Sequence, residues 1–114
     1  MEEKRKHARY PTRLRVWCEG GDITLFGRVG NLGVGGLFVH TATPFSHGAR
    51  ARVRLKDDRT GGEVHAQATV VWVRRQKSSL PPGMGLQFES GGDQLAEEIR
   101  QLLRAEHGNK PGLR

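Results

Sequence analysis

Cysteine, aromatic residues and long apolar runs are all scarce in this 114-residue chain, and each shortage excludes something. The single cysteine, Cys18, cannot close an internal disulfide, so a reducing cytoplasm is the expected setting. The longest apolar run, residues 68–73, is broken by Thr69, whereas a membrane-spanning helix needs about 20 apolar residues. No apolar stretch follows the basic start, so no secretory leader is expected. Four Phe, two Trp and one Tyr do not announce the exposed stacking row of a single-strand nucleic-acid binder.

Enzyme signatures are also missing. No Gly-rich segment runs into Lys-Ser or Lys-Thr, so there is no phosphate-cradling loop of that type. The five histidines, His7, His40, His47, His65 and His107, lack metal-ligand spacing. Cys18 falls on the inward side of a predicted strand, which suits an inert buried thiol better than a nucleophile. No carboxylate pair sits in an apolar setting that would tune it for acid–base work. The expectation is a non-enzyme with no metal and no cofactor.

What the chain does have is glycine and arginine. Its 16 glycines are about twice the usual share and imply many turns between short strands. Its formal charge is +7, with 14 Arg against 5 Lys. A guanidinium is a planar fork that pairs with phosphate and with guanine edges and stacks on flat rings, so the balance points to an anionic partner.

Residues 1–13 carry charge without an apolar face and read as a flexible basic arm. Residues 13–19 alternate, with Leu14, Val16 and Cys18 inward and Arg13, Arg15, Trp17 and Glu19 outward. Gly20-Gly21-Asp22 turns the chain into a second strand, 23–29, in which Gly27 signals a bulge or a close backbone approach. Residues 30–36 (GNLGVGG) hold four glycines and are expected to form a loop with several positive-φ positions. Strands follow at 37–41, 49–56, 63–75 and 84–89. In the fourth, Ala49, Ala51, Val53 and Leu55 face in; in the fifth, Val64, Ala66, Ala68, Val70 and Trp72 share a side. Six short strands joined by hairpins make a small closed barrel over 14–92. After it the period changes: Leu95, Ile99, Leu102 and Leu103 line one face of a helix over 93–107, capped by Asp93 and ended by Gly108. Residues 108–114 form a basic tail. The fold class is all-β with a C-terminal helix, a six-stranded antiparallel barrel.

Two segments carry chemistry. Arg5 and Arg9, four apart in the arm, can close on one compact anion from two sides. Arg9 and Arg13 share that spacing, but Arg13 alternates into the first strand. The segment Asn31-Leu32-Gly33-Val34-Gly35-Gly36 offers an amide and a backbone that a ligand can approach closely. The arm, the Asn-x-Gly-x-x-Gly segment, the strand Leu37-Phe38-Val39 and the closing Met84-Gly85-Leu86-Gln87-Phe88 together resemble the PilZ family over residues 4 to 104. That family's pattern is RxxxR followed by [D/N]xSxxG. Arg5, Arg9, Asn31 and Gly36 match it, and Gly33 stands where Ser is usual. The missing hydroxyl is worth about 0.5–1.5 kcal/mol, roughly a tenfold weakening.

The resemblance implies a six-stranded PilZ-like barrel that binds the bacterial second messenger cyclic di-GMP. Arg5 and Arg9 would grip guanine edges and phosphates, Asn31 would bond a guanine edge, and the Gly33 and Gly36 backbone would let the ligand lie flat. The arm orders on binding and signals to a separate protein effector. A PilZ-like interaction module without nucleotide binding is the alternative that Gly33 favours; a basic nucleic-acid-binding barrel is a third and poorer fit. Dimerisation is left open. Trp17 packs under the arm or helix, or stacks beside the ligand. The Arg50, Arg52, Arg54 stripe is a solvated face or steers anions.

Overall fold

A computed structural model describes residues 10–11, 14–58, 60–75, 79–89 and 92–107. Seven strands and one helix follow in order: β1 Tyr10–Pro11, β2 Arg15–Gly20, β3 Ile23–Gly33, β4 Gly36–His40, β5 Arg50–Lys56, β6 Glu63–Arg74, β7 Gly83–Phe88 and α1 Gly92–His107. All pairings are antiparallel, in the order β1-β3-β2-β5-β6-β7-β4, and β4 pairs back onto β3. The long strands therefore close a six-stranded antiparallel barrel, and the two-residue β1 lies on β3 in line with β2.

Alternation in the sequence sets the inward face. Leu14, just before β2, is buried together with Val16 and Cys18 on β2, Ala51, Val53 and Leu55 on β5, and Val64, Ala68 and Val70 on β6. Period-2 side chains leave polar residues outside. Gly21, at φ 60°, takes the left-handed turn that joins β2 to β3. Helix α1 buries Leu95, Ile99 and Leu102 in the same core, with Asp93 in its first turn, where a carboxylate favours the helix dipole.

Three expectations are corrected, and a choice left open at Gly27 is decided. Residues 30–36 are not a loop: β3 continues to Gly33, and Gly33 pairs with Gly36 across a two-residue connection. None of the glycines at 30, 33, 35 and 36 has positive φ. Sheet pairing wins there because a β-bulge absorbs one residue, Gly30, between the pairs Val29–Val39 and Asn31–Phe38. That bulge is at Gly30; of the two readings of Gly27, a bulge or a close backbone approach, the second holds, since Gly27 stays in register opposite Val16 and a side chain there would come 3.0 Å from the His40 carbonyl oxygen. Trp72 does not share the inward side with Val70. A second register shift, between Val70 and Trp72, turns Trp72 outward, 40% exposed, and packs Val73 against the core. Finally, Tyr10 and Pro11, read as part of an unpaired arm, form β1 opposite Leu32 and Asn31.

Candidate functional site

The two bulges build one outer surface. Directly paired residues in an antiparallel ladder point to the same side. Across β3, β4, β7 and β6, the row Asn31–Phe38–Gly85–Trp72 is paired residue by residue. Leu37 and Val39 occupy the core, so Phe38 and the rest of this row face outward. Without the extra residue at Gly30, Asn31 would share the inward phase of Val29; without the extra residue near Val71, Trp72 would share that of Val70.

Glycine keeps the middle of the row open. Gly85 has no side chain, so the rings of Phe38 and Trp72 meet over it, stacked at 5.2 Å and 28°. A Cβ on Gly85 would come 2.5 Å from Trp72 Nε1. Gly83, two residues earlier on β7, is closed off by Phe38 Cζ and the Val39 carbonyl oxygen. His40 meets the edge of Phe38 at 5.3 Å and fills the space beside Gly30. Arg74 covers both rings, its Cζ 4.7 Å from the Phe38 centroid and 5.6 Å from that of Trp72. Its Nε donates to the Pro81 carbonyl at 2.6 Å. Phe38 is thereby only 3% exposed although it lies outside the core. The surface is a cation-capped aromatic shelf on a glycine floor.

Asn31 stands at one end of the shelf. Its Oδ1 is buried and has no hydrogen-bond donor among the described residues, an arrangement that costs about 1–3 kcal/mol until a donor arrives. Gly33 and Gly36 pair with each other at the adjoining hairpin tip. Asn31, Gly33 and Gly36 are therefore brought together on one side of the barrel. Arg5 and Arg9 lie outside the described residues. The strand that begins at the next residue, Tyr10, is paired to Leu32 and Asn31.

The PilZ domain family matches this sequence over residues 3–105. The chain belongs to the PilZ family. Several solved PilZ-type structures share its fold. The PilZ domain of YcgR from Escherichia coli, solved with c-di-GMP, superposes with a TM-score of 0.75 at 16% identity, covering 92% of each chain. The Bacillus subtilis inhibitor of motility MotI/DgrA gives a TM-score of 0.75 at 17% identity over 96% of this chain and 54% of its own, so this chain spans about half its length. The MrkH–c-di-GMP complex of K. pneumonia gives 0.70 at 17% identity over 91% of this chain and 52% of its own. At these identities the likeness is one of fold. No curated protein sequence matches the chain.

Sequence reasoning missed Phe38, Trp72, His40 and Arg74 as site residues. Within the PilZ chain the signal was the pair of glycines at 83 and 85, whose spacing leaves one outward stripe of β7 bare. It carries meaning only once Trp72 is known to face the same way. Cys18 belongs to no site: it is buried in the core, and burial pushes its thiol up to about 12. Trp17 packs against Phe26 and Arg54 on the neighbouring strands, away from the Asn31–Trp72 row; the arm it was expected to underlie is outside the described residues. The β5 stripe is partly neutralised. Arg50 makes a two-pronged pair with Glu89 at 2.9 and 2.8 Å, and Arg52 lies 3.7 Å from Glu19. No group of three or more potential metal ligands occurs among the described residues, and none of their helices is long and apolar enough to cross a membrane.

Proposed function

We propose that this chain is a receptor for cyclic di-GMP. The observation that carries the reading is the pairing of Tyr10 and Pro11, the residues that follow Arg9 in the sequence, with Leu32 and Asn31, at the end of the aromatic shelf. Membership of the PilZ family, and c-di-GMP in the structures of YcgR and MrkH, support it.

In this reading a guanine lies flat on Trp72, a residue 40% exposed, and Arg74 shifts from covering the indole to sandwiching the base. Arg5 and Arg9 take the phosphates and the guanine O6 and N7 edge as charge-assisted, two-pronged pairs. Asn31 presents its amide to a guanine edge. Gly33 and Gly36 keep the hairpin tip free of side chains, so the ligand approaches the backbone. Capture fixes the arm along the barrel and changes the surface that a separate effector protein meets. The chain acts as a receptor and adaptor; its residues carry no reaction.

Calorimetric titration with cyclic di-GMP, with GTP and GMP as controls, tests the reading. The wild type binds the cyclic dinucleotide selectively. Arg9→Ala weakens binding about 10- to 100-fold, the scale of one charged hydrogen-bonded pair; Asn31→Ala weakens it about tenfold. No heat with the unmodified protein refutes the receptor and favours a PilZ-like interaction module, for which Gly33 in place of Ser is the specific indication.

A further inference from the structure

A second outer surface lies on the barrel wall made by β2, the first half of β3 and β5. Strand register sets its residues in two rows. The first is Phe26–Trp17–Arg54–His65, paired in turn across β3, β2, β5 and β6. The second, two residues along each strand, is Arg28–Arg15–Lys56–Glu63. Adjacent strands are about 4.8 Å apart, and successive outward positions along one strand about 6.8 Å. A row of rings thus runs beside a row of cations.

The rings and cations also interlock. Phe26 and Trp17 meet at 4.9 Å with a 52° tilt. Arg54 Cζ lies 4.5 Å over the Trp17 ring and Arg15 Cζ 5.8 Å over Phe26. Phe26 is 55% exposed, so more than half of it is open to solvent. Three cations, Arg28, Arg15 and Lys56, stand on neighbouring strands, a placement that like-charge repulsion disfavours. Arg15 is paired with Asp58, and the nearby Glu63 carboxylate is held by His65 at 3.0 Å. Arg28, Arg54 and Lys56 make no ion pair among the described residues.

An exposed ring on a barrel wall, flanked by guanidinium groups and by a row in which Arg28, Arg15 and Lys56 outnumber the carboxylates of Asp58 and Glu63 beside them, is the recognition chemistry of a flexible polyanion that carries flat rings. We propose that this wall binds single-stranded nucleic acid. A base stacks on Phe26 against Arg15, and the adjoining phosphates take Arg28, Lys56 and Arg54. Trp17 supports the stack from below. The wall is distinct from the Asn31–Trp72 shelf and does not depend on cyclic di-GMP binding there. The sequence hid it because Phe26 and Trp17 belong to different strands and only the register makes them neighbours.

Fluorescence anisotropy of a labelled oligothymidylate of about 15 nucleotides, a length within the known site sizes of such walls, tests the proposal. Binding is expected at about 50 mM salt, with a log K against log salt slope near −2 for about three phosphates neutralised. Phe26→Ala weakens it about 5- to 100-fold, Phe26→Trp restores it, and Arg28→Ala reduces the slope. In a Trp72→Phe background the oligonucleotide quenches Trp17 emission. Phe26 is exposed, so its alanine variant keeps the barrel, which unchanged thermal unfolding verifies. No binding at that salt overturns the proposal. So does an affinity indifferent to Phe26→Ala. A polyglutamate peptide that binds equally well with the same dependence on Phe26 also overturns it, and makes the wall a docking surface for acidic protein.

Discussion

Gly85→Ala should damage the aromatic shelf by displacing Trp72, the ring on which a guanine lies in the proposed reading. The added methyl would sit 2.5 Å from Trp72 Nε1, 2.7 Å from Cδ1 and 3.1 Å from Cε2. Carbon–ring contacts relax at about 3.5–4.0 Å, so the indole must retreat by about 1 Å. It can, because it is open on its solvent side. Retreat breaks the Phe38 stack, worth about 0.5–1.5 kcal/mol, and loosens the Arg74 cation–π contacts, worth about 0.5–1 kcal/mol. Alanine returns about 0.5–1 kcal/mol by stiffening the unfolded chain. The net loss is about 1 kcal/mol, or a drop of roughly 4–8 °C in Tm. Urea unfolding in a double-mutant cycle isolates the cause. In a Trp72→Ala background the methyl meets nothing of the indole, so Gly85→Ala becomes neutral or slightly stabilising. Gly83→Ala offers the contrast. Its methyl runs into the Val39 carbonyl oxygen as well as Phe38, and a main-chain atom in the sheet has no room to withdraw, so about 3 kcal/mol is lost whether or not Trp72 is present. A Gly85→Ala penalty that persists unchanged without Trp72 refutes the shelf geometry.

Three further outcomes follow from the same packing. Ile99→Ala, at a side chain with no exposure between α1 and the barrel, should cost about 2–5 kcal/mol by chemical denaturation. The Cys18 thiol, raised by burial to about 12, should be inert to a thiol reagent at pH 8 until the chain unfolds; rapid labelling of the native protein contradicts its placement in the core. The Glu89 carboxyl is held below its usual value by hydrogen bonds from Arg50 and then Thr69. Its folded pKa is depressed, so its contribution to stability is present above the ordinary carboxylate value of about 4.3 and is lost as pH falls through the folded value. NMR titration of Arg50→Ala should show the Glu89 carboxyl moving back up, with the acid side of the stability profile flattened.

Much of the fold was legible in the chain because burial on one face of a strand writes a period of two. Residues 14–19 and 49–56 show it without interruption, and α1 announced itself by the change to helical spacing at Leu95, Ile99 and Leu102. Asn31, Gly33 and Gly36 were legible as a motif, though not as sheet. The glycines of residues 30–36 suggested turn conformations, yet they serve pairing and a bulge. The amphipathic signal also misled at residues 70–73: Val, Val, Trp and Val are all apolar, so nothing in the pattern marked the register shift and a period of two carried on from Val70 put Trp72 on the wrong side.

Composition and periodicity by themselves determined a small basic barrel with a C-terminal helix, and the spacing of two arginines and an asparagine pointed to an anionic ligand. Tertiary structure alone decided which outward residues stand side by side. A bulge is a relation between two strands, its cost set by the partner across the ladder, and no single strand records it. The shifts at Gly30 and between Val70 and Trp72 turn Asn31 and Trp72 to the same side. Register, likewise, sets Phe26 beside Trp17.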